Sequence, residues 1–477
     1  MYCRRQLASA TSNVDTLGMV FVNRERELEA LERWWSGRGS GIALVWGRRR
    51  IGKTALVQQF AADKRVVYQT GAGRPPAAEL ALLSAAAAPV LAGGARDLKS
   101  RPFGSWDDAL ESLAEAARAE PLLLVLDEFP ELAEVSPELE GVIRATWDRV
   151  GGRTKLRILL SGSALRTMEA VQEQRAPLYG RVELALLLEP FAPHEAALLL
   201  PGLPAAEQAA VWGIVGGVPL YLDWWDERTS LRTNLERLVC TPGAPLLTAG
   251  ELSLAADVDA GDLGRQVLYA IAAGRTKHNE IADAVRADPT RVLGRLTRIG
   301  LIERMTPVTE DPRRTRRRIY RIADNFLAFW LGVVDRYRAE IDRGLGPSIL
   351  PALLRDLDDH LGRPWEEAMR IHLRRLAASG TLGDDIVAVG PFWTAADQPV
   401  EIDGVVLAGR RREAVALAEA KWAKRVNGAT LRRDLERKAD SLPRVVAEPR
   451  FVICAREHVD NADDVLAITA ADIFGRP

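Results

Sequence analysis

Gly47, Gly52, Lys53 and Thr54 satisfy the spacing G-x-x-x-x-G-K-[ST] directly after an apolar run at 41–46. Triphosphate binding calls for these residue types in this order. Glycines let successive backbone N–H groups curl around phosphate oxygens, and the N-terminus of the helix that follows adds positive potential. The lysine reaches the β and γ oxygens, and the threonine hydroxyl ligates Mg²⁺. The candidate cradle comprises Gly47, Arg50, Ile51, Gly52, Lys53, Thr54 and Ala55, with ATP and Mg²⁺ as expected ligands. The pattern assigns no role to the guanidinium groups of Arg48, Arg49 and Arg50.

A second chemical signal is the unbroken apolar run 121–126 that ends in Asp127-Glu128. A strand buried on both faces reads as such a run. Asp127 is then placed to hold Mg²⁺, as a Walker B acid does, and Glu128 to orient and polarise the attacking water. Further on, the run 156–160 ends in Ser161-Gly162-Ser163, where one serine is either a γ-phosphate sensor or a helix cap.

A third cluster lies near the C-terminus. Residues two apart on a strand share a face, so Glu419 and Lys421 project together. With Asp403 on a neighbouring strand, two carboxylates could bind Mg²⁺ or Mn²⁺ while the ammonium of Lys421 orients water or stabilises phosphorane charge.

The elements that must position these groups alternate. Residues 21–35 read as an amphipathic helix with Asn23 as its N-cap, followed by the strand into the phosphate loop, a helix at 53–62 and a strand at 65–69. This alternation predicts a parallel sheet with helices on both faces. From 264 to 322 the pattern becomes three helices and a hairpin. On the third helix Val292, Leu296 and Ile299 are the expected buried face, with Arg291, Arg295 and Arg298 exposed beside it. The hairpin tip, 311–318, carries five arginines. This is a helix-turn-helix with a basic wing, which either contacts duplex DNA or packs within the protein. If about five arginines engage phosphates, affinity should fall several-hundred-fold between 50 and 200 mM salt. A long apolar helix is expected to begin at Asp324, and another helix to open at 361–368 with Glu366 on it.

Together, Phe-x-Asn-Arg-Glu at 21–25, the phosphate loop, Leu-Asp-Glu-Phe at 126–129, Ser-Gly-Ser at 161–163, Pro-Leu-Tyr-Gly-Arg at 177–181 and Gly-Gly-Val-Pro-Leu-Tyr at 216–221 resemble the archaeal-type ATPase family. That family is a prokaryotic branch of AAA+/STAND-like P-loop ATPases. The resemblance implies an ASCE/AAA+-like parallel-sheet domain in which Arg24 and Glu25 lie near the adenine and Pro219 belongs to a lid over the nucleotide. It also makes Arg181 a candidate arginine finger, within one subunit or across an interface of a homo-oligomer. The segment from about 324 resembles the nuclease-like C-terminal domain that accompanies this family. Asp403, Glu419 and Lys421 match its PD-(D/E)XK pattern, implying a restriction-endonuclease-like α/β fold that either cleaves DNA or serves as a non-cleaving scaffold.

The expected organisation is an ATPase domain with a helical lid at 19–260, a winged helix at 261–322 and a nuclease-like domain at 323–477. The 477 residues exceed what one core can organise. A net charge of −1 excludes a uniformly basic nucleic-acid coat, so DNA affinity must come from a local patch. Eight of the 64 basic residues are lysines, which makes those inside motifs stand out. Cys3, Cys240 and Cys454 show neither disulfide nor metal spacing, and a cytoplasmic protein is expected. The first 18 residues lack the apolar core of a secretory signal and read as a polar leader. The apolar run at 326–334 is about half of a membrane span.

Overall fold

The computed structural model describes residues 21–91, 97, 98, 100–257, 261–395 and 399–475. Cys3 and the polar leader lie outside the described residues. The chain divides into two compact units at Glu189/Pro190, whereas the sequence reading set its first boundary at 260/261.

The first unit is a five-stranded sheet in the order β2-β3-β4-β1-β5, built from β1 (Gly41–Gly47), β2 (Val66–Thr70), β3 (Leu122–Asp127), β4 (Leu156–Gly162) and β5 (Val182–Leu188). Every pairing is parallel. β1, β3 and β4 are buried along their whole length, which is why they read as mostly apolar runs rather than alternations, with Arg157 and Ser161 the polar residues inside β4. Alternate residues still face opposite layers. Leu124 and Leu126 pack with Leu83, Leu110 and Ile143 on one side, while Leu123 and Val125 pack with Leu31, Leu56 and Phe60 on the other. Because the strands are parallel, β1, β3 and β4 deliver the phosphate loop, Asp127 and Ser163 to one edge. β4 is inserted between the strand of the loop and the strand of the acids.

Helix Glu25–Trp35 starts one residue later than expected. Arg24, not Asn23, is its N-cap; both adopt left-handed backbone, φ 72° and 59°, and no side chain caps the helix.

In the second unit the helices Gly261–Ala272, His278–Val285 and Thr290–Arg298 precede an antiparallel pair, β6 (Ile302–Met305) and β7 (Ile319–Ile322). On the third helix the buried residues are Leu293 and Leu296, and Val292 and Ile299 are only half-buried. The helix is thus rotated from the expected face toward an i, i+3 pair. Arg291 and Arg298 are exposed and Arg295 is half-buried.

The apolar segment after Asp324 is not one long helix. Asp324 caps Asn325–Phe329, accepting from Leu327 N at 2.7 Å, and Trp330–Val334 then widens into a π-helical turn. The long helix is instead Gly346–Ala378, 33 residues, with Pro351 and Pro364 inside it. Pro364 does not open a helix as expected; it removes one interior donor while the flanking turns continue.

The last sheet runs β14-β12-β10-β9-β8: β8 (Ile386–Trp393), β9 (Glu401–Ala408), β10 (Glu413–Lys421), β12 (Val445–Ala455) and β14 (Leu466–Ile468). The short β11 (Arg425–Asn427) and β13 (His458–Asp460) pair separately. β8, β9 and β10 are antiparallel, and β10, β12 and β14 are parallel. Helix Gly428–Ala439 makes the crossover from β10 to β12. Among the described residues no helix is long and apolar enough to cross a membrane.

Candidate functional site

The phosphate loop is shaped by three left-handed residues, Gly47 (φ 154°), Arg50 (φ 69°) and Gly52 (φ 87°). A Cβ on Gly47 would lie 2.5 Å from the Leu188 carbonyl oxygen, so no larger residue fits between β1 and β5 there. Lys53 and Thr54 open helix Lys53–Ala61, which continues through Ala55; Ile51 is buried beneath the loop. The Lys53 ammonium donates to the Arg48 carbonyl at 2.9 Å, and burial holds its pKa below the usual lysine value against the pull of Glu128 and Asp127.

Asp127 is buried, and its Oδ2 accepts from Thr54 Oγ1 at 3.1 Å and from Tyr68 Oη at 2.9 Å. Hydroxyl and carboxylate are hard oxygen donors at one spot, a chemistry that fits Mg²⁺. Glu128 stands in left-handed backbone, φ 47°, where its carboxylate accepts from Ser163 Oγ at 2.9 Å and Ser163 N at 3.3 Å. Of the two serines it is therefore Ser163 that meets the acid, while Ser161 is fully buried in β4. Tyr68 carried no sequence signal, because a tyrosine in a strand reads as ordinary packing.

Arg24 is buried, and its guanidinium donates to Ile51 O (3.4 Å), Glu189 O (2.7 Å) and Glu27 (2.8 Å), lacing the chain ahead of the first helix to the loop and to the end of β5. Arg181 stands at the opposite edge of the sheet. It precedes β5, whose far end pairs with Gly47, so seven residues at about 3.3 Å each put it roughly 20 Å from the loop. It forms a two-pronged ion pair with Asp148, both contacts 2.9 Å. At that distance Arg181 does not reach the phosphate loop of its own chain, which corrects a finger acting within one subunit. Pro219 is the first residue of helix Pro219–Asp223 in the second unit.

The second candidate site lies at one end of the mixed sheet. β9 and β10 pair Gly404 with Ala418, a register that sets Asp403 opposite Glu419. Asp403 Oδ2 accepts from Ala420 N at 2.9 Å. Burial first, then the carboxylates of Glu366 and Glu419, push Asp403 up to about 7. Glu419, 4% exposed, is held from both sides: Lys421 Nζ lies 2.7 Å from Oε1 and Lys438 Nζ 3.0 Å from Oε2. Arg370 on the long helix donates to the Asp403 carbonyl at 2.8 Å and to Glu367 at 2.9 Å. The three residues matched by pattern are thus together, and Glu366 joins them. Lys438 was missed, since only a crossover helix of the right length returns residue 438 to residue 419; the scarcity of lysine was the one available hint. Among the described residues no group of three or more His, Cys, Asp or Glu side chains is gathered for a metal ion. A cation here would rest on Asp403 and Glu419 with other oxygens completing its shell.

Residues 21–223 match the family model described as an ATPase domain predominantly from Archaea, and residues 330–434 match a model for archaeal and bacterial proteins of unknown function. An uncharacterized protein of Methanocaldococcus jannaschii is 24% identical over 460 residues, 94% of this chain and 98% of that protein. An uncharacterized ATP-binding protein of the same organism is 44% identical over 48 residues, 10% of this chain and 81% of that protein. Among solved structures, the Walker-type ATPase of Pyrococcus abyssi is similar at 20% identity and a TM-score of 0.49, covering 68% of this chain and 99% of that one. Over residues 21–223 the chain is thus similar to ATPase domains found predominantly in Archaea.

Proposed function

We propose that this ATPase uses its nucleotide state to control duplex DNA, and that its C-terminal sheet is a metal-dependent phosphodiesterase site. The observation that carries the second half is the convergence of Asp403, Glu419 and Lys421 at one end of a mixed sheet, flanked by the long helix before β8 and the crossover helix after β10. In this reading the three helices and the β6–β7 hairpin are a winged helix, residues 261–322. Its exposed arginines supply the phosphate contacts that a net charge of −1 does not.

At the nucleotide site Thr54 and Asp127 would hold Mg²⁺, Lys53 would leave the Arg48 carbonyl for the β and γ oxygens, and Glu128 would polarise the attacking water. Arg24 and the loop would bound the nucleotide, Pro219 would belong to its lid, and Arg181 would act only on a neighbouring copy. At the second site Asp403 and Glu419 would hold Mg²⁺ or Mn²⁺, whose chemistry is to polarise a phosphodiester and acidify water. Lys421 would stabilise the charge that develops on the phosphate.

The ion pairs on both oxygens of Glu419 favour a second reading, an ATP-gated DNA-binding module whose last domain does not cut. Plasmid nicking by the full chain with Mg²⁺ or Mn²⁺ separates the two. Loss of nicking in Glu419→Ala with Lys421→Ala is expected, and unchanged nicking in that variant would sink the nuclease assignment.

A further inference from the structure

The arginine-rich loop between β6 and β7 does not stand free. Val308 N donates to Pro391 O on β8 at 2.8 Å, and Val308 packs on the core of the C-terminal sheet. It approaches so closely that a Cβ on Gly390 would lie 3.1 Å from the Val308 Cβ. Arg317 Nη1 reaches Trp393 O at 3.3 Å. From the other side Arg412, in the turn between β9 and β10, donates to Val308 O at 2.8 Å.

That turn has its own arginines, Arg410, Arg411 and Arg412, all exposed. It is held in place at both ends: Gly409 (φ 67°) and Arg412 (φ 55°) take left-handed backbone, Gly409 N donates to Asp385 O, and Arg444 donates to the Arg411 carbonyl at 3.0 Å. Two arginine-rich segments about a hundred residues apart in sequence are therefore joined by the hydrogen bond from Arg412 to Val308 O. Carboxylates temper their charge without cancelling it. Glu310 pairs with Arg317 and Asp311 with Arg314 at 3.6 Å, while Arg313 and Arg316 are exposed. The loop at 306–318 holds five arginines against two acids, and the turn at 409–413 three against Glu413, with Asp384 and Asp385 beside it.

We infer that this is one continuous surface for the phosphate backbone of a nucleic-acid duplex, extending from the hairpin loop onto Arg410 and Arg411 of the β9–β10 turn. The inference rests on the DNA reading proposed above and names a contact region outside the hairpin. Arginine forks match phosphate geometry, and fixed rows of them suit a rigid polyanion better than a flexible acidic peptide.

The test is fluorescence anisotropy of the full chain with a labelled 30-bp duplex across 50–200 mM salt, with circular dichroism confirming the fold of each variant. Arg410→Ser with Arg411→Ser should reduce the slope of log K against log salt by about 1.8, and affinity at 0.15 M salt by roughly 30-fold. Arg410→Lys with Arg411→Lys should restore most of both. A double Ser variant with the parent slope and affinity, in a parent that binds duplex, overturns the inference and leaves the DNA reading standing. A parent that shows no salt-dependent duplex binding overturns the DNA reading itself. Equal competition by polyglutamate at matched charge overturns the choice of partner.

Discussion

Glu128 combines two features that bear on turnover: a left-handed backbone and a carboxylate held by Ser163. Glu128→Gln keeps the shape of that arrangement but cannot accept a proton from water. It should bind ATP like the parent while turnover falls at least a hundredfold, and hydrolysis at the parent rate would remove Glu128 as the base. Tyr68 acts on the neighbouring acid. A hydrogen bond to a charged group contributes about 1.5–3 kcal/mol, so Tyr68→Phe should raise the Mg²⁺ concentration for half-maximal labelled-ATP binding by about tenfold or more. Nucleotide binding without Mg²⁺ should not change; if it weakens equally, the tyrosine serves only packing.

The long helix Gly346–Ala378 ties several of these groups together, and two kinds of buried group on it make predictions. Glu367 accepts from Arg321 of β7 (2.7 Å), Arg370 (2.9 Å) and Arg374 (3.0 Å), and these cations, opposing the effect of burial, bring its carboxyl down to about 2. Glu367→Gln would leave Arg321 and the buried Arg370 with Glu303 and Glu366 as their remaining anions, at a cost of about 1–3 kcal/mol in urea unfolding. The second kind is histidine. Burial, chiefly, holds His360 and His372 down to about 4, with Arg363 beside the first and Arg375, Asp472 and His194 around the second. Between about 4 and 6.5 the unfolded chain binds these protons and the folded chain does not, so stability falls as pH drops through that window. The loss for His372 is on the order of 3 kcal/mol. Unfolding at pH 7, 5.5 and 4.5 should show it, and His372→Gln should flatten the dependence. Sequence alone made much of this architecture legible. The phosphate loop, the buried strand ending at Asp127 and the Asp403/Glu419/Lys421 set were readable because short spacings on regular elements encode them. The registration of this helix was not, since Pro364 inside a helix and the π turn at Trp330–Val334 are tertiary outcomes that override local signals. Lys438, Tyr68 and the Arg410–Arg412 turn were equally illegible, because their partners lie on other elements.

For the whole molecule, the coupling of nucleotide to DNA is the consequence to measure. If nucleotide state controls the grip on duplex, ATP-bound Glu128→Gln and ATP-blind Lys53→Ala should differ in DNA affinity by at least about fivefold, the lower end of ordinary coupling energies. Equal affinities would separate the ATPase from the DNA surface. The hairpin loop has one more consequence, which concerns solubility. β8 is the outermost strand of its sheet, and Val308 N already occupies the Pro391 carbonyl on its open side. An uncovered strand edge invites pairing with another chain. A chain shortened through 306–318 should therefore form concentration-dependent aggregates by light scattering, whereas one with arginines merely neutralised should stay dispersed.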